Sequence, residues 1–178
     1  MGICKSGVPF HDTYERFFKH LDPKAFEVSQ HVLKIVIDEI RKRLIVCSPN
    51  IENAQIGAVS FIQHFGAKLN HHPHFHIIVA DGLFNNEGEL QFHEAFITQD
   101  DIADTQDCIQ RRVLKFFGRR GWFNKESIEN LLSYENSGFS LDATVKIQSW
   151  DRDGLERLIR YCARPAFASE NLREMVLG

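Results

Sequence analysis

The spacing of apolar positions divides the first half of the chain into one helical and two extended segments. Between residues 25 and 44, valine, isoleucine and leucine recur every three to four positions, which predicts a long amphipathic helix ended by residues 47–50. Residues 57–63 are rich in strand-forming side chains, and a second such run follows a connection over 66–73 and ends at 81–82. We expect these two strands to be antiparallel neighbours.

The second half continues with helices and strands in mixed order. The pattern predicts a turn at 85–88, a strand over 89–98, helices over 100–117 and 125–133, a strand over 138–150 and a helix over 151–163 stopped by Arg164-Pro165. Neither an internal repeat nor a linker interrupts this order. The pattern therefore predicts an α+β fold, a mostly antiparallel sheet with packed helices, as a single domain over residues 1–178.

Composition limits the class of protein. A chain of 178 residues with 43% hydrophobic content can bury one substantial core. The sequence has no secretory signal and no apolar run of about 18 residues, so we expect a cytoplasmic protein without a membrane partner. Cys4, Cys47, Cys108 and Cys162 are too widely spaced for a zinc knuckle and are expected to be reduced.

The net charge of −3 means that any nucleic-acid binding must depend on local basic groups. One group lies along the predicted helix 100–117 and just after it, and the other lies on the last helix. Their members are Arg111, Arg112, Lys115, Arg119 and Arg120 in the first group, and Arg152, Arg157, Arg160 and Arg164 in the second. Each group is consistent with a solvated helix face or with a surface for a nucleic-acid backbone.

The most informative potential metal ligands lie in the strand that contains His74-Phe75-His76. Because side chains alternate along a strand, His74 and His76 share one face while Phe75 points to the other. Two imidazoles on one face can bind a metal if a third ligand is near, and they suit zinc or nickel as well as manganese. Gln63 on the preceding strand is our preferred third ligand, although a glutamine that bonds to backbone explains it equally well. The competing ligands are His64, Asp81 and Glu94.

Two separated motifs carry a family resemblance. The first comprises residues 57–66, Asn70, the histidine pair and residues 81–82; the second runs from 138–141 through Asp151-Arg152 to 155–166, which includes Tyr161. Together they resemble the transposase domain of rolling-circle insertion sequences, a branch of the HUH endonucleases. The similarity covers residues 56–172, with the two motifs in the order that the family has.

The resemblance implies an HUH-endonuclease-like fold, related to ferredoxin and RRM sheets, and a DNA transposase chemistry. His74 and His76, with Gln63, would hold Mg²⁺ or Mn²⁺, and Tyr161 would attack single-stranded DNA at the ends of the element to form a 5′-phosphotyrosine bond. Arg157 and Arg164, at i−4 and i+3 from this tyrosine, would contact the phosphate. Arg160 and His72 are further DNA-binding candidates; the alternatives are a solvent-facing Arg160 and a His72 that contacts water.

The sequence also departs from the family pattern. Many relatives carry two tyrosines one helical turn apart, whereas the position four residues before Tyr161 is Arg157. The chain thus resembles the single-tyrosine variety, which implies one strand-transfer step per site. The cysteine-rich zinc segment and the further sequence found in full-length relatives are missing, so we expect a truncated remnant that keeps the fold and does not complete transposition.

Two other functions fit the same residues. A non-catalytic nucleic-acid-binding α+β domain would use the basic helices and keep the histidines as structural residues. A zinc-dependent hydrolase would use the histidines and dispense with Tyr161. Formation of a covalent adduct between the protein and single-stranded DNA separates the transposase from both.

Overall fold

A five-stranded antiparallel sheet lies at the centre of the computed structural model, which describes residues 3–9, 25–48, 51–65, 71–85, 90–134 and 138–164. Its strands are β1 (Ile3–Pro9), β2 (Gln55–Phe65), β3 (His71–Asn85), β4 (Gln91–Glu94) and β5 (Asp142–Ile147). Strand β3 is central, because β2 pairs with one of its edges while β1 and then β4 pair with the other. Strand β5 pairs with the outer edge of β1.

Four helices complete the described fold, and the predicted α+β class is confirmed. They are α1 (Ala25–Val46), α2 (Gln99–Arg119), α3 (Lys125–Ser133) and α4 (Arg152–Cys162). Polar side chains accept hydrogen bonds from otherwise unsatisfied first-turn amides of three of them: Thr98 caps α2, Asn124 caps α3 and Asp151 caps α4.

The main core lies between one face of the sheet and the helices α1 and α2. Phe75 and Ile77 of β3 are fully buried there against apolar side chains that recur on one side of each helix, among them Val32 of α1 and Val113 of α2. This is the amphipathic arrangement that the sequence predicts for both helices.

The opposite face of the sheet carries a second, smaller apolar cluster under α4. Ile78 of β3 is buried against Leu158 and Cys162 of α4, and half-buried Phe61, Ile147 and Leu155 pack around them. Because Ile77 and Ile78 are consecutive in β3, they point to opposite faces. The sheet therefore separates α4 from α1 and α2.

Strand β3 is longer than the sequence predicts at both ends. It begins at His71, inside the expected connection 66–73, and it continues past residues 81–82 to Asn85, because β4 pairs with residues 82–85. Gly82 is a point of close approach and not a strand end. A Cβ atom at this position would come within 2.2 Å of the backbone oxygen of His93 on β4.

Several other boundaries differ from expectation. The strand predicted over 89–98 is limited to β4, the strand predicted over 138–150 is limited to β5, and residues 86–88 of the predicted turn lie outside the described residues. Helix α2 begins at Gln99 because Thr98, and not the Asp100-Asp101 pair, is its N-cap. Strand β1 was not predicted, since residues 3–9 have no clear alternation.

Ion pairs join α1 and α2 and use part of the first basic group. The buried Glu39 of α1 accepts hydrogen bonds from Lys42 and Arg112; burial opposes its charged form, but these bonds lower the pKa of its carboxyl. Arg43 donates to Asp101 at 3.0 Å and to Asp104 at 3.2 Å. Within the first basic group, Arg112 therefore has a structural role, because it links α1 to α2.

Asp101 makes the start of α2 sensitive to acid. Hydrogen bonds from the hydroxyl and then the backbone amide of Thr98 are the main causes that lower its pKa to about 2, below the value of about 3.9 in an unfolded chain. A lowered pKa contributes stability above about pH 4, and this contribution is lost as the pH falls towards 2. We expect Asp101→Asn to lower the melting temperature at neutral pH and to flatten its fall between pH 4 and pH 2.

Thermal melts over this pH range measure the effect. Asp100→Asn is the matched control, since it removes a carboxylate from the same turn of α2 without removing a partner of Thr98. An acid profile of Asp101→Asn that runs parallel to that of the unsubstituted protein would contradict the assignment.

Candidate active site at the histidine strand and the last helix

Three imidazole rings form a row on the face of β3 that is opposite the main core. His72, His74 and His76 alternate with core-facing residues, and their ring centres are 5.3 Å apart for the first pair and 4.9 Å apart for the second. His76 is buried, with 8% of its surface exposed, whereas His74 is half-buried. The shared face of His74 and His76 is the arrangement that the sequence predicts.

A backbone contact selects the protonation pattern of His74. Its Nδ1 lies 2.8 Å from the carbonyl oxygen of His72, which can only accept a hydrogen bond, so Nδ1 carries the proton. In a neutral ring, Nε2 then keeps its lone pair. This is the tautomer in which a histidine binds a metal through Nε2 while a carbonyl orients its other nitrogen.

Gln63 lies directly opposite His74 in the β2–β3 ladder, so both side chains are on the same face. Its Nε2 donates a 2.8 Å hydrogen bond to the carbonyl oxygen of Cys162 in the last turn of α4. Carbonyls in the last turn of a helix lack partners within the helix, and Gln63 satisfies one of them. The backbone-bonding role considered for this glutamine is thus present, and its amide oxygen is not used by that bond.

Helix α4 brings Tyr161 to the histidine row. The Tyr161 ring lies edge-on to the His76 ring, with 5.7 Å between ring centres and 75° between planes. Half of the tyrosine surface, 51%, stays exposed, while its neighbour Cys162 is buried against the sheet. The two motifs of the sequence analysis, which are far apart along the chain, therefore meet at one site.

One known protein family matches a stretch of the chain that includes both motifs. Residues 57–176, about two thirds of the chain, match a family model described as Putative transposase. The chain belongs to this transposase family. The match includes β2, the histidine strand and the tyrosine helix, and hence both halves of the candidate site. No curated protein and no solved structure matches the chain.

In this transposase, the periodicity of α4 sets the surroundings of Tyr161. Leu158 and Cys162 point into the small apolar cluster, and Tyr161 lies at the edge of that buried stripe. Arg157, one turn earlier, lies next to Tyr161 on the solvent side, whereas Arg152 lies on the opposite side of the helix. Arg157 and Tyr161 are therefore neighbouring exposed positions on this helix.

The other basic residues of the transposase helix differ in their partners. Arg160 forms an exposed ion pair with Glu156 at 2.6 Å, one turn earlier. Arg164 follows the C-cap Ala163, and its amide contacts the carbonyl of Tyr161 at 3.4 Å, which keeps it within one turn of the tyrosine. Within the described parts of the chain, neither Arg157 nor Arg164 forms an ion pair.

Two competing ligand candidates lie away from the site. Asp81 lines a small cavity on the α1 and α2 side of the sheet, and Glu94 is exposed on β4, opposite Gly82 near the far end of β3. The side chains of His64 and His71 lie outside the described residues. Among the side chains that are described, no three of the types His, Cys, Asp and Glu are grouped closely enough to hold a metal.

The residues present suit a cation that takes part of its coordination from the substrate. His74 has Nε2 available, the centre of the His76 ring is 4.9 Å from that of His74, and Gln63 has an amide oxygen on the same face. Such a set leaves positions for water and for a phosphate oxygen.

No helix in the described ranges of this transposase has the length and hydropathy needed to span a membrane.

The link between Gln63 and the end of α4 is a feature that sequence reasoning missed. The sequence suggested a backbone partner for Gln63 without identifying it, because the partner lies 99 residues away in the chain. A polar side chain on the sheet face that the helix covers is the only local signal for such a contact.

Proposed function

We propose that this transposase cuts and rejoins single-stranded DNA through a covalent intermediate on Tyr161, with a divalent cation at His74 and His76. The observation that carries the proposal is the contact between the Tyr161 and His76 rings, because it places a candidate nucleophile next to a candidate metal ligand. The membership of a transposase family supports it, because transposition requires DNA strands to be broken and joined.

In the proposed reaction, the phenolic oxygen of Tyr161 attacks the phosphorus of a phosphodiester. The bond from this oxygen to phosphorus forms, the bond from phosphorus to the 3′ oxygen breaks, and the tyrosine proton replaces the lost bond on the 3′ oxygen. The products are a 5′-phosphotyrosine and a free 3′ hydroxyl, so the phosphoester energy is kept for rejoining. With one tyrosine on α4, we propose one strand-transfer step per site.

The chain supplies fixed partners for a cation at this site. The carbonyl of His72 holds the His74 ring with Nε2 available, and the burial of His76 fixes the second imidazole. The Gln63 oxygen is the third candidate ligand, and its amide nitrogen ties the same side chain to the end of the tyrosine helix. A bound Mg²⁺ or Mn²⁺ would neutralise charge on the scissile phosphate and orient it for in-line attack.

Arg157 and Arg164 are the proposed contacts to the DNA backbone beside Tyr161. Both carry a permanent charge, and a guanidinium can form paired hydrogen bonds to a phosphate. His72, at the end of the imidazole row, is a further proposed DNA contact, and Arg160 contributes less because Glu156 already neutralises it. Single-stranded DNA at the ends of the element is the proposed substrate.

Variants of α4 test this part of the proposal. We expect Arg157→Ala to weaken binding of single-stranded DNA about tenfold, the effect of losing one charged hydrogen-bonded contact. It should also reduce the slope of log affinity against log salt by about 0.7, the value for one lost phosphate contact. Arg152→Ala is the matched control on the opposite side of α4 and should leave both quantities unchanged. Equal losses of DNA affinity in the two variants would contradict the placement of the DNA contact on the Tyr161 side of α4.

The defining experiment is an adduct assay on the intact chain. Single-stranded oligonucleotides labelled at either end are incubated with Mg²⁺ or Mn²⁺ and separated on denaturing gels. We expect a protein band that carries the fragment on the 3′ side of the cut, with a released fragment that ends in a 3′ hydroxyl. Hydrolysis without a protein-linked fragment would favour a zinc-dependent hydrolase, and binding without cleavage would favour a non-catalytic nucleic-acid-binding domain.

A further inference from the structure

An open groove of about 550 Å³ lies between the first turns of α1 and the end of α2, across the sheet from Tyr161. Its walls combine aromatic rings with cationic side chains, and the main members are Glu27, His31, Lys34, Phe116, Arg120 and Trp122. Grooves of about 300 to 1,000 Å³ are the size that proteins use for small organic groups. No step of the Tyr161 chemistry uses these residues.

The aromatic part of the groove is rigid because its rings pack on one buried side chain. Phe116 is 9% exposed; His31 stacks on it at 4.1 Å with 18° between planes, and Trp122 meets it edge-on at 5.7 Å. Arg120 lies above the same ring, 5.4 Å from its centre. A planar ligand that stacks here would find rings already ordered, which lowers the entropic cost of binding.

The charged part of the groove is cationic. In the parts of the chain described, Lys34 and Arg120 form no ion pair, in contrast to Arg112 of the same basic group, which pairs with Glu39 and Asp38. Glu27 is the one acidic residue among the lining residues. Two cations beside stacked rings suit a ligand with a flat aromatic part and a negative part.

We propose that this groove binds an unpaired nucleotide of single-stranded DNA, with the base stacked against the Trp122 and His31 wall and the phosphate at Lys34 and Arg120. Stacking on aromatic side chains combined with cationic contacts to the backbone is the common chemistry of single-strand binding. The contact is separate from the proposed cleavage at Tyr161 and does not depend on it.

The fluorescence of Trp122 tests the proposal directly. The chain has two tryptophans, so Trp150→Phe leaves Trp122 as the single reporter. This background protein is titrated with a short single-stranded oligodeoxynucleotide and with an abasic oligonucleotide of equal length, which keeps the phosphates and lacks the bases. We expect the first to quench Trp122 emission and the second to bind at least about fivefold more weakly, because stacking contributes about 1–3 kcal/mol per base.

Variants locate the site. Lys34→Ala and Arg120→Ala, each made in the Trp150→Phe background, should raise the dissociation constant about tenfold. Lys115→Ala removes an exposed cation of α2 that does not line the groove, and it should leave the dissociation constant unchanged. Circular dichroism verifies that each variant is folded.

Several outcomes would overturn the proposal. Equal affinity for the two oligonucleotides would mean that no base stacks in the groove. Equal losses in Lys34→Ala and Lys115→Ala would mean that binding reflects general charge. Quenching by an acidic peptide with the affinity of the oligonucleotide would replace the nucleotide by a protein partner, and an unchanged Trp122 emission with bound DNA would place the DNA elsewhere.

Discussion

Replacement of Tyr161 by phenylalanine is expected to abolish the covalent protein–DNA adduct while leaving the fold and DNA binding intact. The phenylalanine ring keeps the edge-on contact with His76 and nearly all of the packing of the tyrosine, but it has no oxygen to attack phosphorus. The adduct assay should therefore change from a denaturant-resistant band to none. Melting temperature and affinity for single-stranded DNA should change little, because half of the side chain is exposed.

The other two tyrosines of the chain are matched controls. Tyr14→Phe and Tyr134→Phe remove the same atom from tyrosines outside the sequence of α4, and both variants should still form the adduct. An adduct that persists in Tyr161→Phe would place the nucleophile elsewhere. If no version of the chain forms an adduct while binding to DNA persists, the covalent mechanism is contradicted and a non-catalytic nucleic-acid-binding domain is favoured.

Loss of either imidazole from the proposed metal site is expected to abolish Mn²⁺ binding. His74→Ala removes the ring whose Nε2 is held available by the His72 carbonyl, and His76→Ala removes the ring next to Tyr161. A cation left with one histidine and one amide oxygen retains too few protein ligands for measurable affinity. Calorimetric titration with Mn²⁺ should give heat for the unsubstituted protein and none for either variant.

His72→Ala is the control that the geometry offers. The hydrogen bond to His74 comes from the backbone carbonyl of residue 72, so removal of the His72 side chain leaves the tautomer of His74 in place. Mn²⁺ affinity should then remain close to that of the unsubstituted protein. Unchanged Mn²⁺ affinity in both His74→Ala and His76→Ala would make the histidines structural.

The sequence predicts the local half of this site well. Alternation along a strand places His74 and His76 on one face, and helical periodicity places Arg157 beside Tyr161; both follow from neighbours in the chain. The antiparallel pairing of β2 with β3 was also predicted, with Gln63 facing the histidine pair from the neighbouring strand; the register that sets Gln63 opposite His74 comes from the structure. These features depend on patterns that a few consecutive residues determine.

The remaining features depend on contacts between distant segments. Strand β1 carries little alternation, yet it pairs with both β3 and β5 in the middle of the sheet. The sequence predicts that the strand ends at Gly82. In the structure, β4 approaches closely at this position and β3 continues through it. The aromatic groove combines His31 with Phe116 and Trp122 from another helix and its following turn, so no single motif reveals it.

The separation of the two apolar clusters has a consequence for how the tyrosine helix behaves. Helix α4 rests on the small cluster around Ile78, Leu158 and Cys162 and on the bond from Gln63, while the main core lies on the other side of the sheet. Local opening of a segment costs less free energy than global unfolding when few buried contacts hold it. We therefore expect α4 to undock locally without unfolding of the domain, and a substitution such as Leu158→Ala to change the fraction of molecules in which Tyr161 meets His76 more than it changes the stability of the domain.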